Sequence, residues 1–289
     1  MTPIDGTRKT HTPDSTFNGM ELRVWGARGS IPTPVPENLE HGGNTACLEV
    51  RLPNGESYIF DAGTGIRELG IHLDATRTGP QNLNVFMTHF HWDHVQGLPF
   101  FGPLYSPENH VTFHSSHSNR HLRDVLGGQM SAPYFPVNFE LLQADMHFGE
   151  VGREPVAFGE LTVQSFPLHH PQGASGYRIC YRDAVLVYAS DLEHGNQELD
   201  AVLRENAKEA DVLVYDAQFT PQEYEERRGW GHSTWLEATR IARDCGVREL
   251  VLFHHDPSHN DTTMHRIVED ARREFAATSA AWQGRVIAV

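Results

Sequence analysis

His89-Phe90-His91-Trp92-Asp93-His94 puts four metal-capable side chains into six consecutive residues. Leu83-Asn84-Val85-Phe86-Met87-Thr88 leads into it, and Val85-Phe86-Met87 reads as a buried strand that gives way to a turn at His89. Alternation would send Phe90 and Trp92 back into the core, and His89 with His91 into a cavity. Asp93 and His94 fall one residue out of that alternation and can serve a second centre beside the first. Four donors on one ion in so short a run would need a cramped loop. Two ions about 3.5–4 Å apart can share these donors with others from elsewhere in the chain. A solvated histidine explains one such residue far better than it explains a run of four donors behind a strand.

Working outward, other apolar strands also end in metal-capable residues. Val163 to Leu168 runs into His169-His170, Val185 to Ser190 into Asp191, and Leu250 to Phe253 into His254-His255. Tyr58-Ile59-Phe60 ends in Asp61, and a buried strand over 211–215 ends at Asp216. Donors on adjacent strand ends converge on one crevice, which is where open α/β sheets place their sites. The remaining pattern predicts strands over 21–25, 45–51, 177–181, 184–189 and 285–288, with 45–51 and 58–60 joined as a hairpin. Helices are expected over 66–75, 120–126, 198–209, 233–245 and 262–277. Periodicity weakens between Gly97 and Glu160. Residues 127–136 read as irregular, their aromatics lining a pocket mouth or packing as an ordinary loop. Hairpins followed by strands alternating with helices imply a layered α/β domain.

Composition narrows the class. The chain has 289 residues, 39% of them hydrophobic, enough for a substantial core. Residues 1–20, rich in Thr, Pro and Asp near the start, read as a tail, and residues 21–289 as a single domain. No run of eighteen apolar residues is present, so a membrane partner is not expected. Cys47, Cys180 and Cys245 are scattered without metal-type spacing, which points to a reducing, cytoplasmic setting. A net charge of −15 argues against a protein that grips long nucleic acid. Arg28, in the turn Gly26-Ala27-Arg28-Gly29-Ser30, reads as a surface residue ahead of a substrate contact.

The motif His89-x-His91-x-Asp93-His94, followed by a His, an Asp and a His at later strand ends, resembles the metallo-β-lactamase superfamily of binuclear hydrolases, over roughly Leu22 to the C-terminus. Asp61-Ala62-Gly63-Thr64-Gly65, His170-Pro171-x-x-x-x-Gly176-Tyr177-Arg178 and Gly231-His232-Ser233-Thr234 are similar to its branch of ribonuclease Z and the cyclic-phosphate phosphodiesterases. The resemblance implies a four-layer αβ/βα sandwich. It implies two divalent ions, zinc first, with manganese, iron or nickel acceptable to the same nitrogen and oxygen donors. His89, His91 and His170 would hold one ion, Asp93, His94 and His254 the other, and Asp191 would bridge them. His170 is preferred to His169 because it directly precedes Pro171, as in the family; His254 is preferred to His255 because it follows its strand immediately. Asp61 would support the histidines. Asp93 and His232 are the implied catalytic residues, with His232 stabilising charge or giving a proton to the leaving oxygen. A hydroxide shared by the ions would attack phosphorus in line.

Departures from the family choose among substrates. No Cys stands at a strand end, unlike the true β-lactamases, and His91 stands where the oxygen-reducing di-iron branch carries Glu. The long tRNA-gripping arm of ribonuclease Z has no room in the hairpin between His170 and Asp191. The expected substrate is therefore a small phosphodiester, cyclic nucleotides and cyclic sugar phosphates included. An acyl hydrolase, either a glyoxalase-II-like thioesterase or a lactonase, is the alternative, although a glutathione-binding helical domain has no counterpart after His254. A metal-binding module without turnover is a third reading. The family also implies a homodimer.

Overall fold

The computed structural model describes residues 19–77 and 79–289. Most of the expected N-terminal tail therefore lies outside the described residues. Glu21–Gly26 (β1) buries Leu22 and Val24 and turns Glu21, Arg23 and Trp25 outward, the period of a strand with one covered face. Cys47–Arg51 (β2) and Ser57–Phe60 (β3) form the expected hairpin. Asn82–Phe86 (β4), His110–Ser115 (β5) and Asp145–Glu150 (β6) follow in parallel. With Val286–Ala288 (β14), they make one seven-stranded sheet in the order β14-β1-β2-β3-β4-β5-β6.

The second sheet begins with Val156–Phe158 (β7), Leu161–Leu168 (β8), Ala174–Tyr181 (β9) and Ala184–Ala189 (β10), all antiparallel. Val212–Asp216 (β11), Glu249–Phe253 (β12) and Thr278–Ala280 (β13) complete it in parallel. Every residue of β11 is buried, as expected of a parallel strand covered on both faces.

Gly65–Thr76 (α1) and Asn119–Gln129 (α3) pack on the first sheet. Gln197–Ala207 (α4), Trp235–Asp244 (α6) and Asp261–Glu274 (α7) pack on the second. Each helix buries a single stripe; in α7 it is Met264, Ile267 and Ala271. Between the sheets lies a core that includes Val24, Leu48, Phe60, Phe86, Tyr177, Tyr188 and Phe253. Separate apolar clusters lie under the helices of each side. The architecture is the expected four-layer αβ/βα sandwich. Among the described residues no helix is long and apolar enough to cross a membrane.

The structure corrects several expectations. The weak segment after Gly97 holds β5, β6 and β7. Strand β6 exposes or half-exposes every residue, and its alternation rests on two apolar side chains alone, Met146 and Phe148, too short a signal to mark it. Gly127-Gly128-Gln129 belongs to α3 despite its two glycines. The last helix stops at Glu274, leaving β13 as an edge strand. Pro221–Glu226 (α5), absent from the sequence reading, starts on a capping box in which Thr220 accepts from the Glu223 amide and Glu223 accepts from the Thr220 amide.

Candidate metal centre

The site lies where strands of both sheets end. Asp61, Asp191 and His254 each stand just past a strand, and each has a left-handed backbone, with φ of 63°, 62° and 60°. Non-glycine residues seldom adopt this conformation, and it collects at functional sites. Past β4 the chain turns through His89 into a one-turn helix, Trp92–Val95 (α2), that carries Asp93 and His94.

Two sets of donors result. In the first, His170 Nε2 lies 3.1 Å from His91 Nδ1. The His89 ring centroid is 4.5 Å from that of His91 and 4.9 Å from that of His170. In the second, His254 Nε2 lies 3.1 Å from Asp93 Oδ2 and 3.4 Å from His94 Nε2. Asp191 reaches both sets. Its Oδ2 is 3.0 Å from His94 Nε2, and its Oδ1 is 3.4 Å from His254, 3.8 Å from His89 and 3.9 Å from His170.

The outer nitrogen of each imidazole is engaged. Thr88 gives its hydroxyl proton to Asp61, so its oxygen accepts from His89 Nδ1 at 3.1 Å. His91 Nε2 donates to Gln172 Oε1 at 2.9 Å, and His170 Nδ1 to the Gly231 carbonyl at 2.8 Å. His94 Nδ1 donates to Asp61 at 2.9 Å, and His254 Nδ1 to Gln218 Oε1 at 2.8 Å. These acceptors fix the tautomers and turn the inner lone pairs toward one another. His89 Nε2 is buried without a hydrogen-bond partner among the described residues. Imidazole nitrogens aimed at one another and at carboxylates form an arrangement that a bound cation would satisfy. The donor set therefore fits divalent metal ions.

The electrostatics agree. Burial disfavours the charged form of His94, yet Asp191, Asp61 and Asp93 outweigh it and hold its pKa well above the usual range. Burial likewise opposes charge on His254, but Asp191 and the bond to Asp93 push its pKa up to about 9. His89, in the first set, is drawn well below the usual range by burial and by His94. The second set thus demands positive charge more strongly than the first.

His232 stands beside both sets. Its Nδ1 donates to Asp216 Oδ2 at 2.8 Å, and its ring stacks on His254 at 4.8 Å. Asp216 also accepts from the amides of Asp191, Gln218 and Ser233. Asp61 accepts the Thr88 hydroxyl, His94 and the Tyr188 hydroxyl. Glu193 accepts from Tyr224 and from the amides of Gly229 and Gly231, fixing the loop that holds His170 and His232.

All the candidate donors preferred in the sequence come together. His169 is exposed and bonded to the Glu193 carbonyl. His255 is buried but bonded away, to the Ala281 carbonyl. Two expectations fail. Trp92 is 75% exposed, because α2 breaks the strand alternation and rotates it outward. Phe90, by contrast, is partly buried and packs against the apolar cluster under the helices of the first sheet, as expected. Arg28 is also not on the surface; it is 1% exposed. The sequence reading gave no role to Asp216, Gln218, Gln172, Thr88 or Glu193. Asp216 was signalled, since it ends a buried strand as Asp61 and Asp191 do. The others carry no signal in spacing.

Residues 57–255 match the family model described as the β-lactamase superfamily domain. The chain belongs to the metallo-β-lactamase superfamily. A ribonuclease Z from Bacillus cereus is 23% identical, with the alignment covering 91% of this chain and 97% of the relative. The metallo-β-lactamase fold protein YhfI from Bacillus subtilis superposes with a TM-score of 0.70 at 18% identity, covering 93% of this chain and 99% of YhfI. A diphosphatase from the PhnP family gives a TM-score of 0.68 at 18% identity, covering 93% and 98%.

Proposed function

We propose that this superfamily member is a binuclear metal-dependent phosphodiesterase of small phosphodiesters, cyclic ones included. The observation that carries the reading is Asp191 set between a three-histidine set and an Asp-His-His set, with the His232–Asp216 pair alongside. His89, His91 and His170 would hold one divalent ion, Asp93, His94 and His254 the other, and Asp191 both. The nitrogen and oxygen donors suit zinc first. Bound ions supply Lewis acidity and lower the pKa of water.

The protein's own groups do the rest. Asp216 orients His232 through Nδ1–H; with its ring protonated on both nitrogens, His232 would give its Nε2 proton to the leaving oxygen or stabilise developing charge with that N–H. Asp61, Gln218, Gln172 and Gly231 keep the histidine rings from turning. Cys47, Cys180 and Cys245 are free thiols, consistent with a cytoplasmic protein.

The ribonuclease Z relatives favour a second reading, cleavage of RNA. Against it stand the net charge of −15 and the connection from His170 to Asp191, which is taken up by β9 and β10. An acyl hydrolase has no specific observation in its favour.

The test is zinc- or manganese-loaded protein assayed on bis(p-nitrophenyl) phosphate, a cyclic-nucleotide panel, a tRNA precursor, a thioester and a lactone, with size-exclusion chromatography to read the proposed homodimer. Metal-dependent diester cleavage is expected, with kcat about a hundredfold lower in His232→Ala at unchanged metal content. Thioester turnover with an inert diester would refute the reading, and cleavage confined to the tRNA would move it to the second.

A further inference from the structure

Arg28 is among the largest fully buried side chains, and its setting is unusual for a cation. Its Nε donates to the Gly42 carbonyl at 2.9 Å, and its Nη1 to the carbonyls of His259 at 2.6 Å and Asp256 at 3.3 Å. Its Nη2 has no hydrogen-bond partner among the described residues. The carboxylates of Asp261 and Asp256 act on it only through space. Asp261 is engaged by His41 and the amide of Glu40, and Asp256 by Ser258. A buried guanidinium held by carbonyls alone contributes little stability that an apolar filler would not. What it does supply is a rigid fork spanning two chain segments.

Those segments meet at the second donor set. The Arg28 amide donates to Asn44, the Gly29 amide to the His255 carbonyl, and the His255 amide to Ala27. Gly29 lies so close to His254 that a Cβ there would come within 2.4 Å of the ring. The Ser30 amide donates to Asp93 Oδ2 at 2.6 Å. The turn that Arg28 anchors therefore bears on two of the three donors of the Asp-His-His set. Thr88, Gln172 and Gly231, which orient the three-histidine set, are not among the side-chain hydrogen-bond partners of Arg28 described above.

We propose that Arg28 is a positioning residue for the Asp93, His94 and His254 set, and not for the three-histidine set. The proposal rests on the binuclear reading above. The whole chain as wild type, Arg28→Met, Arg28→Ala and Arg28→Lys would be loaded with cobalt(II). Ions bound per chain, the affinity of each, the visible absorption bands and the melting temperature would be read. Wild type is expected to take two ions. Arg28→Met is expected to stay folded, keep one ion at wild-type affinity and bind the other about tenfold or more weakly. Arg28→Lys should recover part of the loss, and added guanidinium should restore the second ion to Arg28→Ala. Wild type taking fewer than two ions would refute the binuclear reading itself. Two unchanged affinities in Arg28→Met would refute the role of Arg28 alone. Should Arg28→Met fail to fold, Arg28→Lys decides, and its unfolding too would make Arg28 a fold pin and overturn the proposal.

Discussion

The two donor sets lie side by side and are built differently. The three-histidine set has one half-buried member, His91, steadied by a glutamine from a neighbouring loop. In the Asp-His-His set, His94 and His254 are 0% exposed, Asp93 is buried, and Asp61 stands behind His94. One set is built of imidazoles and open at an edge; the other is sealed and has Asp93 among its donors and Asp61 behind it. Burial removes water's competition for the donors, and the carboxylates supply the field that holds a cation. The sealed set is thus expected to be the tight, slow-exchanging centre, and the open one the face that meets substrate.

The largest effect should come from the residue both sets share. Asp191→Ala is expected to lower diester hydrolysis by about a thousandfold or more and to reduce metal content at both centres. If one ion stayed at wild-type affinity, Asp191 would not join the sets. Next comes the difference itself. During dialysis against a chelator, one ion should leave well before the other, and His91→Ala should retain the slow ion while Asp93→Ala loses it. Loss of both ions together would break the comparison. The smallest effect sits at the junction. Trp92 faces solvent between His91 and Asp93, so Trp92→Ala should change unfolding stability by no more than about 0.5 kcal/mol. A drop of several kcal/mol would mean that the side chain is packed.

Legibility followed chemistry and period. His89, His91, Asp93 and His94 sit together in the sequence because one turn presents them, so they could be read at once. His170, Asp191 and His254 were readable only because each follows an apolar strand. Gln172 and Gln218 were not readable, because an amide that orients an imidazole needs only to arrive at the right place and leaves no spacing behind. Strand β6 escaped because it lies at a sheet edge with little apolar burial, and Trp92 was misplaced because a one-turn helix carries no period of its own.

The sequence by itself determined the layered α/β class and the donor inventory, since strand ends and side-chain chemistry are local properties; the preference for His170 over His169 came from the family resemblance, because His169 is the one that directly follows its strand. Only the tertiary structure decided that Asp216 holds His232, that Gln172 and Gln218 face the imidazoles, and that Arg28 is sealed inside. These pairings join Asp216 to His232 across 16 positions of chain and Arg28 to His259 across 231, and no local pattern encodes such contacts.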